Sequence, residues 1–218
     1  MTSQDVTILV QGAKSFGILL EKKDIDLFAL YLDELLKWNQ RINLTAIRSE
    51  RGVIIKHFLD SLSVHPYLSK DFHLLDMGSG AGFPGIPLKI AQPSLRVVLI
   101  DSVRKKVDFQ KHIIRTLGLK GIGTVQGRAQ DRGLMEQWAG GFDALISRAF
   151  SDLSTFLSLG YPFLKKGGIA IAMKGELPKE EIRSLSAAEG PRYLLQKMVS
   201  LILPFSSFKR SIVLFQKD

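Results

Sequence analysis

The residues best placed to do chemistry gather in one stretch, Leu74-Leu75-Asp76-Met77-Gly78-Ser79-Gly80-Ala81-Gly82-Phe83-Pro84-Gly85-Ile86-Pro87. An apolar run ends in a carboxylate and gives way to glycine at every second position. This is the pattern of a buried strand delivering a turn whose bare backbone amides let a ligand come close. Asp76, at the strand end, stays ionised only against a positive or hydrogen-bonding group. The next apolar run, Arg96-Val97-Val98-Leu99-Ile100-Asp101, also ends in an acid. In nucleotide-binding α/β folds an acid there accepts hydrogen bonds from both ribose hydroxyls. The plainer reading, a glycine-rich turn that merely connects strand to helix, sits poorly with strand, loop, helix start and second strand following in order.

Two ligands compete for such a loop. Gly80-x-Gly82-x-x-Gly85 matches the dinucleotide fingerprint, a weak signal on its own, and points to an NAD-dependent oxidoreductase. Asp76-x-Gly78-x-Gly80, with its acid two residues before the first glycine, is the form in which methyltransferases bind S-adenosylmethionine. That cofactor has no pyrophosphate, so the loop packs against its amino-acid and ribose portions. Asp101 fits either ligand; Asp76 decides for S-adenosylmethionine.

The elements that must position these residues alternate steadily from residue 73. The pattern predicts strands at 73–77, 96–101, 122–126, 142–147 and 167–173, and helices at 85–91, 103–117, 131–138, 152–164 and near 178–187. Such alternation implies right-handed crossovers and a parallel sheet with helices on both faces. Ligands in these sheets sit at the carboxyl ends of the strands, and Asp76, Asp101, Gly127 to Gln130 and Ser147 to Ala149 all fall there. Arg192 to Leu203 and Phe208 to Gln216 favour strands joined by Pro204-Phe205-Ser206-Ser207, and with no helix between them they should pair antiparallel. A parallel sheet closed by that hairpin is the methyltransferase variant of the Rossmann-like α/β architecture, seven-stranded here.

Residues 1–70 read as a helical extension packed on the main domain, 71–218. Leu9, Ala13, Phe16 and Leu20 share one face, and Phe28, Leu32, Leu35 and Trp38 another, with Asp24 as N-cap. Trp38 to Ile47 shows no clean period. In Lys56-His57-Phe58-Leu59-Asp60-Ser61-Leu62, His57 beside Asp60 suggests acid–base chemistry, although a structural hydrogen-bonded pair is the commoner arrangement.

Composition narrows the chemistry. The chain has 218 residues, 45% of them hydrophobic, which suits one α/β domain with an extension. It has no cysteine, which excludes disulfides, thiolate metal sites and the covalent route to cytosine C5 methylation. The four histidines lack metal-ligand spacing, so no metal is expected. No apolar run is long enough to span a bilayer, and the start lacks the basic residues of a signal peptide, so a cytoplasmic protein with no membrane partner is expected. Thirty basic residues against 21 acidic give a net charge of +9, the balance of a protein with a polyanionic partner.

Read together, these segments resemble the small-subunit ribosomal RNA guanine-N7 methyltransferases, also called the glucose-inhibited division protein B family. The likeness is carried by Asn39 to Thr45, His57 to Leu62, the loop Asp76 to Pro87, Asp101-Ser102 with Lys105-Lys106-Val107, Ile146-Ser147-Arg148-Ala149-Phe150 and Met173-Lys174-Gly175. The resemblance implies a class I methyltransferase fold and a monomer. It implies methylation of a guanine N7 in the decoding-region loop of 16S ribosomal RNA, on the small subunit or its assembly intermediate. It carries cofactor contacts over to Gly78, Phe83, Ala129, Gln130 and Arg148, beside the Asp76, Gly80 and Asp101 of the loop motif. Most relatives have an acid where Gln130 stands. Lys105, Arg128 and Arg148 match residues proposed to support catalysis, and Lys105, Arg128 and Arg210 those proposed to hold RNA.

Guanine N7 in the neutral nucleoside carries a lone pair and no proton, so methyl transfer from a sulfonium is an in-line displacement needing no general base. The enzyme has to hold the two atoms at attack distance. N7 and O6 form an acceptor pair that arginine or lysine reads well, or an arginine near the methyl binds O6 instead. Arg148 is best placed by its strand-end position; its plainer role is an ion pair with Asp143 or Asp152. Arg104, Lys105, Lys106, Lys111 and Arg115 crowd one helix, where 104, 111 and 115 can share a face as phosphate contacts or as a solvated surface. Lys209-Arg210 lies on the terminal hairpin, within reach of the site's rim. No Asn-Pro-Pro-Tyr segment for adenine amino groups and no Gly-x-Ser-x-Gly elbow appears. A basic RNA-binding module without catalysis is the remaining alternative.

Overall fold

Short apolar runs bounded by glycine and proline become the strands of a single sheet. The computed structural model describes residues 1–148, 152–176, 179–185 and 193–218. The strands are β1 His73–Met77, β2 Arg96–Asp101, β3 Ile122–Gln126, β4 Phe142–Ser147, β5 Leu164–Lys174, β6 Tyr193–Ile202 and β7 Lys209–Lys217, in the order β3-β2-β1-β4-β5-β7-β6. The first five pair in parallel, β7 lies antiparallel to β5, and β6 antiparallel to β7. The expected architecture is therefore the one found. Register sets Asp76 beside Leu99 and Ile146, and Asp101 beside Gln126, so the acids finish at one edge of the sheet.

Helix α1 is Ser3–Ser15, α2 Lys22–Ile42, α3 Glu50–Val53 and α4 Asp60–Leu62, with a π-helical stretch, Ile54–Leu59, between the last two. The crossovers are α5 Gly85–Ala91, α6 Arg104–Thr116, α7 Arg132–Trp138, α8 Leu153–Gly160 and α9 Lys179–Leu185. The N-cap of α2 is Glu21, not Asp24; Asp24 is the third helical residue, and its carboxylate reaches back to the Glu21 N–H to complete a capping box. Helix α1 stops before Phe16 and Leu20, because Gly17 turns left-handed at φ 78°, yet both side chains still pack on the core. The helix expected to run to 164 ends at Gly160, where Pro162 accompanies a 3₁₀ turn, and β5 starts three residues earlier than expected. Residues 178, 186, 187 and 192, at the ends of the last expected helix and hairpin, lie outside the described residues.

The core on one side of the sheet is continuous with the amino-terminal helices. Leu9, Phe28, Tyr31, Leu32 and Leu35 share a cluster with Phe58, Phe83, Ile86, Leu99 and Phe109. A second cluster around Leu75, Phe142, Phe156 and Phe163 fills the other face.

Candidate functional site

β1 carries Asp76 to a place with no exposed surface. Desolvation pushes its carboxyl up to about 7, against the opposing pull of the Gly85 N–H and Arg148. Oδ2 accepts the Gly85 N–H at 2.8 Å, while Oδ1 is buried and meets no hydrogen-bond donor among the described residues. An orphaned buried carboxylate oxygen is costly, and a cationic ligand fits the lack. Gly78 and Gly80 are left-handed, at φ 75° and 60°, and nothing stands within 4 Å of where a Cβ would point. Their backbone is the open face of the loop. Gly82 and Gly85 differ: a Cβ would come within 2.3 Å of Ile86 and 2.4 Å of Leu99 respectively. The leading donors of α5 are spent, Gly85 N–H on Asp76 and Ile86 N–H on Gly82 O. That leaves the dinucleotide fingerprint without the free amides a pyrophosphate needs.

Neighbouring elements hold this loop still. The Tyr31 hydroxyl on α2 donates to Ala81 O at 2.6 Å. Gln110 on α6, fully buried, donates to Ser79 Oγ and Gly80 O at 2.9 and 2.8 Å and accepts from Thr124 on β3. Asp101 accepts the Gly80 N–H through Oδ2 and the Val103 N–H through Oδ1, each at 2.8 Å. Each oxygen keeps a lone pair for a ribose hydroxyl. These features fit S-adenosylmethionine, with Gly78 and Gly80 at the open face, Asp101 bonded to Gly80 beside them, and Asp76 behind.

A second group converges at the ends of β4 and β5. Arg148, just past β4, donates to Lys56 O at 3.2 Å and stands 3.5 Å from Asp60 Oδ2. Arg210, on β7, donates from Nε to Asp60 Oδ1 at 2.8 Å. Asp60 is 1% exposed; burial pushes its carboxyl up, and the two guanidiniums pull it back. The carboxylate expected for Arg148 was Asp143 or Asp152. Asp143 pairs instead with Lys165, Asp152 caps α8, and Arg148 reaches back to the π-helical segment. The expected His57–Asp60 pair is likewise replaced: His57 Nε2 bonds Thr45 Oγ1 at 2.8 Å. Burial and then Arg148 push the imidazole down to about 3, so it is neutral. Thr45 is itself placed by Asn39, whose Oδ1 accepts the Thr45 N–H at 2.8 Å, just past the left-handed Asn43. The segment without a clean period is the last turn of α2 followed, from Asn43, by a turn that places Thr45 against His57.

His57 stacks on Phe83, with centroids 4.4 Å apart and planes 13° from parallel, and Tyr31 stacks on the same ring at 5.4 Å. Phe83 is 3% exposed. Its ring packs in the core, against Tyr31, His57 and Phe58. The guanidinium carbon of Arg148 lies 5.2 Å over that ring, so the two groups adjoin. At the second group, where β4 and β5 end, opens a cavity of about 330 Å³, whose wall includes Lys56, Asp60, Arg148, Lys174 and Arg210.

The other expected site residues do not reach this cavity. Lys105 is exposed on the first turn of α6, and Ala129 is buried while Arg128 and Gln130 are exposed in the turn after β3. They flank Asp101, on the opposite side of the loop from Arg148. Lys111 and Arg115 line a cleft with Lys120 near the start of β3, at the far end of the sheet, and Arg104 pairs with Asp108. Ala149 and Phe150 lie outside the described residues. Sequence reading assigned no role to Tyr31, Gln110 or Thr45, and none to Asp60 as the anchor of two arginines. Among the described residues no group of three or more histidines or carboxylates could hold a metal, and no helix is long and apolar enough to cross a membrane.

Comparison with known proteins agrees with this geometry. A family model described as rRNA small subunit methyltransferase G matches residues 24–211. The ribosomal RNA small subunit methyltransferase G of Geobacter metallireducens is 42% identical over 98% of this chain and 96% of its own. That of Acetivibrio thermocellus is 41% identical over 96% of this chain and 87% of its own. Among solved structures, a SAM-dependent methyltransferase from Aquifex aeolicus superposes with a TM-score of 0.58 over 77% of this chain and 93% of its own at 19% identity, a likeness of fold.

Proposed function

The chain belongs to the rRNA small subunit methyltransferase G family, and we propose that it moves the methyl of S-adenosylmethionine to N7 of one guanine in the decoding-region loop of 16S ribosomal RNA. One observation carries the choice of atom. The cavity beside the cofactor loop is lined by Lys56, Arg148, Lys174 and Arg210, and its sole carboxylate among the described residues, Asp60, is committed to both arginines. His57 in the same wall is neutral and bonded to Thr45. No base is poised to take a proton, and N7 has none to give.

S-adenosylmethionine supplies an electrophilic methyl on a sulfonium. The protein's part is placement. Gly78, Gly80 and Asp101 hold the donor, and Asp76 sets the loop through Gly85. Arg148, fixed by Asp60 and Lys56 O, donates to guanine O6 and so orients the ring while the N7 lone pair stays free for the methyl. Arg210, on the other side of Asp60, faces the same cavity. Lys105 and Arg128 hold neighbouring phosphates as sequence-independent contacts. The enzyme acts in the cytoplasm, as a monomer, on the small subunit or its assembly intermediate; residues 1–70 are its helical extension.

The test supplies labelled S-adenosylmethionine with small subunits or 16S rRNA from cells lacking the protein, and maps the product by borohydride–aniline cleavage, which reports N7-methylguanosine. The expected result is cleavage at a single guanine, reduced roughly 100-fold or more in Arg148→Ala by loss of the contact that orients the base. Label incorporated without that cleavage moves the target to another atom. A nicotinamide cofactor bound in place of S-adenosylmethionine, or rRNA bound without turnover, returns the oxidoreductase or the non-catalytic module.

A further inference from the structure

The cavity at Arg148 has a neighbour. A larger one, about 650 Å³, opens on the far side of Arg210, and the two share Gly175 and Arg210 in their walls. Among the described residues its lining brings Lys179, Lys209 and Arg210 together against one carboxylate, Glu176, with Ile202 of β6 on the apolar side. Between Ile202 and Lys209 of its wall, the β6–β7 turn exposes two aromatic rings, Phe205 at 52% and Phe208 at 39%. Phe205 holds φ at 60° although it is not glycine, a conformation that costs a bulky side chain strain. Phe208 has Lys56 Nζ 3.9 Å from its ring centre, and Lys56 also lines the inner cavity. A bulky ring kept exposed on strained backbone, among cations, is a poor device for folding and a good one for contact.

We propose that the turn Pro204 to Phe208 and the outer cavity form a stacking subsite for the unpaired nucleotide next to the target guanine, with Phe205 and Phe208 as the platform and Lys209 and Arg210 on the intervening phosphate. The subsite rests on the reading of the chain as an RNA methyltransferase. Single-stranded RNA is recognised by just this pairing of aromatic faces with a basic groove, and every base has a face to stack. A duplex hides those faces. Arg210 is then the partition between two adjacent nucleotides, tied to Asp60 so that one base enters the inner cavity while its neighbour stays outside.

The experiment uses the full chain saturated with S-adenosylmethionine and a short labelled oligoadenylate, single-stranded or annealed to oligouridylate. The single strand should bind more tightly than the duplex. Phe205→Gly should weaken single-strand binding about five-fold or more without lowering the melting temperature, because glycine accepts the left-handed backbone. A ring that served only the fold would show the reverse, lower stability and unchanged binding. Phe208→Ala should weaken the same binding, and both variants should raise KM for small subunits while kcat and S-adenosylmethionine affinity hold. Equal binding of strand and duplex, or variants that bind the strand as the wild type does, overturns the proposal. A raised KM for subunits with unchanged oligoadenylate binding also overturns it, and assigns the turn to a ribosomal protein. Ring-dependent strand binding by a wild type that transfers no methyl supports the subsite while overturning the methyltransferase reading.

Discussion

At the scale of the residue, Asp76 concentrates both what the sequence announces and what it conceals. The acid-x-Gly-x-Gly spacing marks it plainly, and composition alone places it at a strand end. That one of its oxygens accepts the Gly85 N–H while the other meets no donor among the described residues depends on packing across the sheet. Its folded pKa, about 7, lies above the free value of 3.8. Between the two values the folded protein binds more protons than the unfolded chain, so stability falls as pH rises from about 4 to about 7. Asp76→Asn should remove that loss: its melting temperature should match the wild type near pH 4 and exceed it above pH 7, a gain in stability of about a few kcal/mol at most. Cofactor binding should show the opposite cost. A cationic donor favours ionised Asp76, so wild-type affinity should climb as pH rises through about 7, with a proton released on binding, while Asp76→Asn binds weakly and independently of pH. Calorimetry in buffers of differing ionisation heat measures the released proton, and a flat wild-type profile would remove Asp76 from the site. Asp60 shows the limit of local reading, because its partner Arg210 is 150 positions away, and spacing carries no trace of that.

At the scale of the element, the crossover units were legible because each apolar run of a parallel strand is bounded by glycine, proline or an acid. What was not legible is how α2 addresses the loop. Tyr31 falls in register with Phe28, Leu32 and Leu35 and so reads as one more core residue, yet its hydroxyl is the tie from this helix to Ala81. Burial pushes the phenol well above its usual range, so it stays a donor at any working pH. Tyr31→Phe keeps the ring stacked on Phe83 and strands the carbonyl, at a cost of about 1–3 kcal/mol. A lower melting temperature is expected, with weaker S-adenosylmethionine binding as the loop loses its outer anchor. A variant that loses stability but binds the cofactor as tightly as the wild type would confine Tyr31 to the core. The π-helical Ile54–Leu59 was also hidden, since a helical pattern predicts the face and not the hydrogen-bond register. Such stretches are frequent at functional sites, and this one carries Lys56 and His57 into the cavity wall.

At the scale of the whole molecule, the question is whether the amino-terminal helices are an addition or part of the enzyme's body. Sequence periodicity shows amphipathic helices but not what their apolar faces meet. Leu9, Phe28, Tyr31, Leu32 and Leu35 are each 0% exposed and share one cluster with Phe58, Phe83 and Phe109. Full burial of an apolar side chain contributes about 1.5–3 kcal/mol, so these few alone match much of the 5–15 kcal/mol that separates a folded domain from its unfolded chain. Removing them would also uncover the facing rings and free the glycine loop from Tyr31. A chain beginning at residue 43 is therefore expected to lose its cooperative thermal transition and its near-ultraviolet dichroism, to bind a dye for exposed apolar surface, and to hold no S-adenosylmethionine. Cooperative melting of that shortened chain with cofactor affinity intact would show that the sheet supports the site by itself. The expected outcome makes α1 and α2 the far wall of the catalytic domain, which ties binding of the methyl donor to the packing of the first forty residues.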